Sequence, residues 1–142
     1  FTTCGVDAGT AMGIATNGVL GPPGASTIIM VRVADDFKYG TVTSMLIPTN
    51  EAFIAVNDVK GPKGKQGSMM VMSPAYDAGS EPNDELCANR PGPACGGFGP
   101  SPDASGEGYV HIHAGIQGIG DLTSADYDWR NPTAKIVIKR MK

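Results

Sequence analysis

Charge is scarce in this sequence and leans only weakly to one sign: 18% of the 142 residues are charged, 11 Lys+Arg against 14 Asp+Glu, for a net charge of −3. That balance leaves no basic footprint for nucleic acid and no polybasic patch for an anionic membrane surface. No apolar run approaches the roughly 18–20 residues of a membrane-spanning helix. Helical periodicity is missing too, and Thr123–Tyr127 has room for one helical turn at most. Common catalytic signatures are equally absent. There is no serine elbow and no Gly-x4-Gly-Lys-[Ser/Thr] string, so GPKGKQG at 61–67 reads as a turn. GIQGIG at 115–120 has the wrong order for a dinucleotide fingerprint and no helix behind it. Asn131-Pro132-Thr133 fails as a glycosylation acceptor because of its proline.

Glycine and proline are plentiful, together about 22% of the chain where roughly 12% is usual. With 41% hydrophobic residues, one domain spanning 1–142 can still bury a core, and its class should be all-β with many turns. Short β-branched or alternating runs predict strands at Ser26–Val33, Thr41–Ile47, Ala52–Asn57, Ser68–Met72, Gly108–His113 and Thr133–Arg140. In the last, Ile136 and Ile138 point one way while Lys135, Val137 and Lys139 point the other, as in a half-buried antiparallel strand. A weaker run, Ala11–Ala15, precedes a GPPG turn at 21–24. Turn-punctuated strands of this kind predict an antiparallel β-sandwich. Met69, Met70 and Met72 fit core and sheet surface better than a soft-metal site. Trp129, the only tryptophan, sits where it can close one end of the sandwich.

Ser73 to Ser105 carries almost no strand pattern, and loops of that length in compact domains are usually functional or disordered. Asp77, Glu81 and Asp84 open it, with Asn83 between them; such hard oxygen donors suit calcium, although the spacing is not that of an EF-hand and a solvated acidic loop needs no ion. Cys87 and Cys95 lie in CANRPGPAC, where a disulfide would close a loop of about nine residues and contribute roughly 2–3 kcal/mol. A metal pair is the rival reading, but neither histidine lies near them in sequence. A disulfide favours an oxidising compartment and leaves Cys4 without a partner. His111 and His113 form HIH on a predicted strand, so both imidazoles leave one face about 7 Å apart. With Asp121, Asp126 or Asp128 as a third ligand they suit zinc or copper; as a half-buried pair bonded to loop backbone they need no metal.

The strings MLIPTNEAFIAVN (45–57), PAYDAGSEPNDEL (74–86), GEGYVHIHAGIQGIGDL (106–122) and YDWRNPTAKIVIKR (127–140) resemble the spondin amino-terminal domain in its bacterial secreted form. The DAG followed by an acidic residue is the most specific of these signatures. The resemblance implies a spondin-like sandwich similar to calcium- and phospholipid-binding domains, with one long loop held by calcium and a disulfide. It also implies calcium carboxylates at Glu51, Asp77 and Glu81. Two of these are Glu where the animal domains usually carry Asp. The family's opening strand region has only a weak counterpart before Ser26.

The expected function is therefore a secreted, calcium-binding module for binding, adhesion or structure, outside the cell or in the periplasm, and not an enzyme. The alternative is a metalloenzyme or metal-binding protein built on His111 and His113. A start at Phe1 without an export signal fits a processed chain or fragment. The missing opening strand and the odd Cys4 predict a protein partner, or a second copy, along an open sheet edge.

Overall fold

The computed structural model describes residues 25–26, 28–31, 38–47, 49–90 and 105–141. The chain divides into two units, Phe1–Tyr39 and Gly40–Lys142. In the first, the predicted strand Ser26–Val33 is not observed: Ser26 and residues 28–31 lie outside any strand, and Ile28 and Met30 are 87% and 80% exposed. An apolar, β-branched run supplies propensity only, and a strand needs a ladder partner to form. Ala11–Ala15, the GPPG turn, Cys4 and Cys95 lie outside the described residues.

The second unit is mostly β, with two antiparallel sheets and, among the described residues, only a 3-10 turn at Cys87–Asn89 and one short α-helix. Strands β1 (Tyr39–Met45), β2 (Ala52–Lys60), β4 (Ala75–Asp77) and β5 (His111–Ile112) form one sheet in the order β1-β2-β4-β5. Strands β3 (Ser68–Ser73) and β6 (Ala134–Lys139) form the other. Met69 pairs with Ile138 and Val71 with Ile136 on the less exposed face, while Met70 pairs with Val137 and Met72 with Lys135 on the exposed one. The period-2 alternation of β6 expected above is borne out residue by residue.

The chain passes from one sheet to the other across Pro74. Proline lacks the N–H that would continue the ladder, so it suits the corner between sheets. Ser73 bridges the break: its buried hydroxyl accepts from Ala55 N at 3.0 Å and donates to Ala55 O at 2.9 Å. Strand β4 is a correction to the long patternless loop, because Ser73–Asp77 belongs to the sheets. Three residues are too few for a readable period, and β4 exists because it pairs on both sides, Ala52↔Asp77 with β2 and Asp77↔His111 with β5. The expected strand Gly108–His113 shortens to His111–Ile112 for the same reason, since Gly108 has φ +80° and turns the chain.

Among the described residues the buried apolar set is small, comprising Ala52, Val56, Ala75, Ile116 and Leu122, and the buried polar residues include Asp77, Glu85, Arg90 and His113. Beyond β4 the chain is held chiefly by carboxylates that accept backbone N–H groups. Glu85 accepts from Gln117, Gly118 and Ile119 at 2.6, 2.8 and 2.9 Å. Asp121 accepts from Cys87 N at 2.7 Å, and Asp128 from Ile116 N at 3.1 Å. Asp84 accepts from Leu86 N and from the amides of Asn50 and Asn89. Where a ladder is missing, these side chains satisfy the main chain. The short helix α1, Ser124–Tyr127, falls where one turn is expected.

Candidate metal centre

Asp77 ends β4, and its pairing across the sheet places it opposite Ala52 and His111, so all three share one face of the sheet. The carboxylate is 0% exposed. Oδ1 accepts from Gly79 N at 2.8 Å, and Oδ2 accepts from Asn83 Nδ2. Burial by itself would raise the Asp77 pKa. The Asn83 amide, the Gly79 N–H, the adjoining Glu51 carboxyl and the His113 imidazole outweigh it and hold the group below the usual carboxylate range. Asp77 is thus an ionised, buried anion. Among the described residues no lysine or arginine pairs with it, and its only ion-pair neighbours are His111 Nε2 at 3.8 Å and His113 Nε2 at 3.9 Å.

The two histidines differ in kind. His111 is partly exposed, and its Nδ1 faces the Tyr109 carbonyl at 3.3 Å. A carbonyl only accepts, so Nδ1 carries the proton and Nε2 presents its lone pair toward Asp77. His113 is buried, and its Nδ1 accepts from Gly115 N at 2.9 Å. Its proton is therefore on Nε2, which donates to Asn83 Oδ1 at 3.1 Å. Asn83 in turn donates to Asp77, so His113 orients the carboxylate through Asn83. Burial lowers the His113 pKa and keeps the ring neutral; Asp77 opposes this, His111 adds to it, and Glu85 and Glu51 oppose it further. Trp129 lies against the His113 ring with centroids 5.1 Å apart.

Glu107 completes the cluster. One donor atom each from Asp77, Glu107 and His111 lie within 4.8 Å of one another. Sequence reading did not single out Glu107, which sits thirty residues from Asp77 amid glycines. The glycines bring it there. Gly108 N donates to Gly79 O at 2.7 Å, and a Cβ on Gly79 or Gly106 would collide with the backbone of the facing segment. Two glycine-lined stretches can therefore lie in contact, and Glu107 is carried to the rim above Asp77. The spacing Gly-Glu-Gly ahead of HIH is the only trace of this in the sequence.

The remaining candidates are placed as follows. Glu51 adjoins Asp77 but accepts from Ser80 N at 2.8 and 3.0 Å, from the Ser80 hydroxyl, and from Glu81 N at 2.9 Å. It holds the DAG turn from below. Glu81 enters this set through its backbone N–H, and Glu51, Asp77 and Glu81 do not converge as closely as the cluster of Asp77, Glu107 and His111. Asp121 and Asp128 cap backbone groups, and Asp126 accepts from the Thr123 hydroxyl at 2.6 Å. None of the three is the third ligand expected for the histidines. Their oxygens accept from Cys87 N, the Thr123 hydroxyl and Ile116 N, while the sheet register presents Asp77 to His111. Cys87 receives Arg90 Nη2 at 3.3 Å. No family profile, curated protein or solved structure matches the chain, so the likeness to the spondin domain rests on the four strings quoted above.

Proposed function

We propose that this chain is a divalent-cation-binding β-sandwich module of the secreted or surface-displayed kind, serving as a binding, adhesion or structural part of an extracellular assembly. One observation carries the reading: a fully buried, ionised Asp77 stands beside the carboxyls of Glu51 and Glu107 with no lysine or arginine against it among the described residues. Gathering like charges around a buried anion is costly, and a divalent cation offsets that cost. Calcium is the ion implied by the spondin resemblance, with Glu51, Asp77 and Glu81 as its carboxylates. The oxygen donors of Glu51 and Asp77 suit a hard ion of flexible coordination.

The extracellular setting is supported by the oxidised state of Cys87, which we pair with Cys95 across the proline-rich loop. A partner or second copy along an open sheet edge belongs to the same proposal. Its support is the two-stranded sheet of β3 and β6, in which each strand pairs on one side only among the described residues, with Met70, Met72 and Val137 exposed on one face.

The test is thermal unfolding of the chain in chelator, in excess calcium and, separately, in excess zinc. A cation that binds only the folded state adds about 2.7 kcal/mol at a hundredfold excess over Kd. Asp77→Asn should erase the difference between chelator and cation whatever its own baseline. Identical melting in all three conditions refutes the reading.

A further inference from the structure

Resting on that cation reading, we propose that the ion at Asp77 is a first-row transition ion of the zinc class, held by His111 Nε2 together with one oxygen each of Asp77 and Glu107, and that His113 lies outside its coordination shell as a positioning residue. The donor set is mixed, two carboxylates and an imidazole, whose ligand atoms lie within 4.8 Å of one another. Imidazole nitrogen suits zinc, copper, iron and nickel, whereas calcium takes oxygen throughout. Two donors that each sit about 2.0–2.1 Å from zinc at a tetrahedral angle are about 3.3 Å apart. His111 Nε2 and Asp77 Oδ2 are separated by 3.8 Å, so a small contraction around the ion brings them into place.

Tautomer assignments decide between the two histidines. Nε2 of His111 carries a lone pair on the Asp77 side because Nδ1 faces the Tyr109 carbonyl. Both nitrogens of His113 are committed, Nδ1 as acceptor from Gly115 N and Nε2 as donor to Asn83 Oδ1. Neither has a free lone pair to offer. The chain His113–Asn83–Asp77 is instead the outer support that metal-bound carboxylates commonly have, and disturbing such support lowers metal affinity about 10–100-fold. Three protein donors on a rim where His111 is one-third exposed leave room for a water in the fourth position, so the ion would be open to exogenous ligands.

Binding of Zn2+ and Co2+ to the metal-free 142-residue chain tests this, with calcium titrated in parallel and folding of each variant checked by circular dichroism. Stoichiometric Zn2+ binding is expected, with visible Co2+ bands of an N/O site. His111→Ala and Glu107→Gln, both at partly or fully exposed side chains, should each weaken Zn2+ at least 100-fold and leave the fold intact. His113→Gln should weaken Zn2+ by about 10–100-fold while the Co2+ bands keep their positions, because the ligands are unchanged. Calcium binding with Zn2+ no tighter, or Zn2+ affinity untouched by His111→Ala, overturns the proposal and leaves the cation reading standing. Shifted Co2+ bands in His113→Gln overturn the assignment of His113. If neither ion binds, both readings fall together.

Discussion

Glu85 offers the sharpest test of how this fold is held. Its carboxylate is buried and takes three backbone N–H groups in succession, from Gln117, Gly118 and Ile119, while its own carbonyl accepts from Asp121 N at 2.9 Å. The side chain thus ties the DAG loop to the glycine-rich turn following β5. Hydrogen bonds to a charged group contribute about 1.5–3 kcal/mol each, and three on one group are less than additive, so Glu85→Ala should cost about 3–5 kcal/mol. For a domain of this size that is a fall of roughly 10–20 °C in Tm. Glu85→Gln keeps one accepting oxygen but turns an NH2 toward a backbone donor, and should cost about 2–3 kcal/mol. Backbone conformation separates a second contribution, because Glu85 has φ +58°, where a side chain costs about 1–2 kcal/mol. Glu85→Gly should therefore be more stable than Glu85→Ala by about 1 kcal/mol, yet still well below the native chain. Urea unfolding at fixed cation concentration, followed by the fluorescence of Trp129, measures all three variants. A Glu85→Ala midpoint equal to the native one at unchanged slope would refute the reasoning, as would Gly below Ala.

Two further outcomes follow from the same network. Asp84 titrates below the usual carboxylate range: burial opposes this, but the Leu86 N–H, the amides of Asn89 and Asn50, and Arg90 outweigh it. A depressed folded pKa gives stability that is present above the unfolded value of about 3.9 and lost as pH falls through the folded one. Melting between pH 2.5 and 6 should accordingly show Asp84→Asn below the native chain at pH 6, with the gap closing toward pH 2.5; a gap constant with pH contradicts the assignment. Gly79→Ala combines φ +70° with a Cβ driven into the Tyr109 backbone, and should cost roughly 2–4 kcal/mol and weaken cation binding by displacing Glu107. Gly40→Ala, with open space around it, is the neutral control, and equal melting of the two variants would remove the close approach from the account.

Legibility in the sequence followed periodicity and failed with distance. The alternation of β6, the glycine-rich turn between β2 and β3, and the helical turn at Ser124–Tyr127 are local patterns, and local sterics suffice to produce them. The acidic residues of the DAG loop stood out as chemistry-bearing, but composition treats alike a carboxylate that faces a cation and one that caps an amide. Glu85, Asp121 and Asp128 each satisfy main-chain groups brought from 12 to 34 residues away, and nothing local distinguishes them from Asp77.

What the sequence determined by itself is the class: too much glycine and proline for helix, strands with period two, and a long acidic segment without strand pattern. Tertiary structure alone decided the centre. The register of β4 against β5 sets Asp77 opposite His111, contact between Gly79 and the Gly106–Gly108 segment delivers Glu107, and the Gly115 N–H fixes which nitrogen of His113 holds its proton. The first two are long-range pairings and the last a contact two residues away, but in each a backbone group, rather than side-chain type, chooses the partner. The physical reason is that backbone donors and acceptors are chemically the same at every residue, so which of them meet depends on the path of the folded chain.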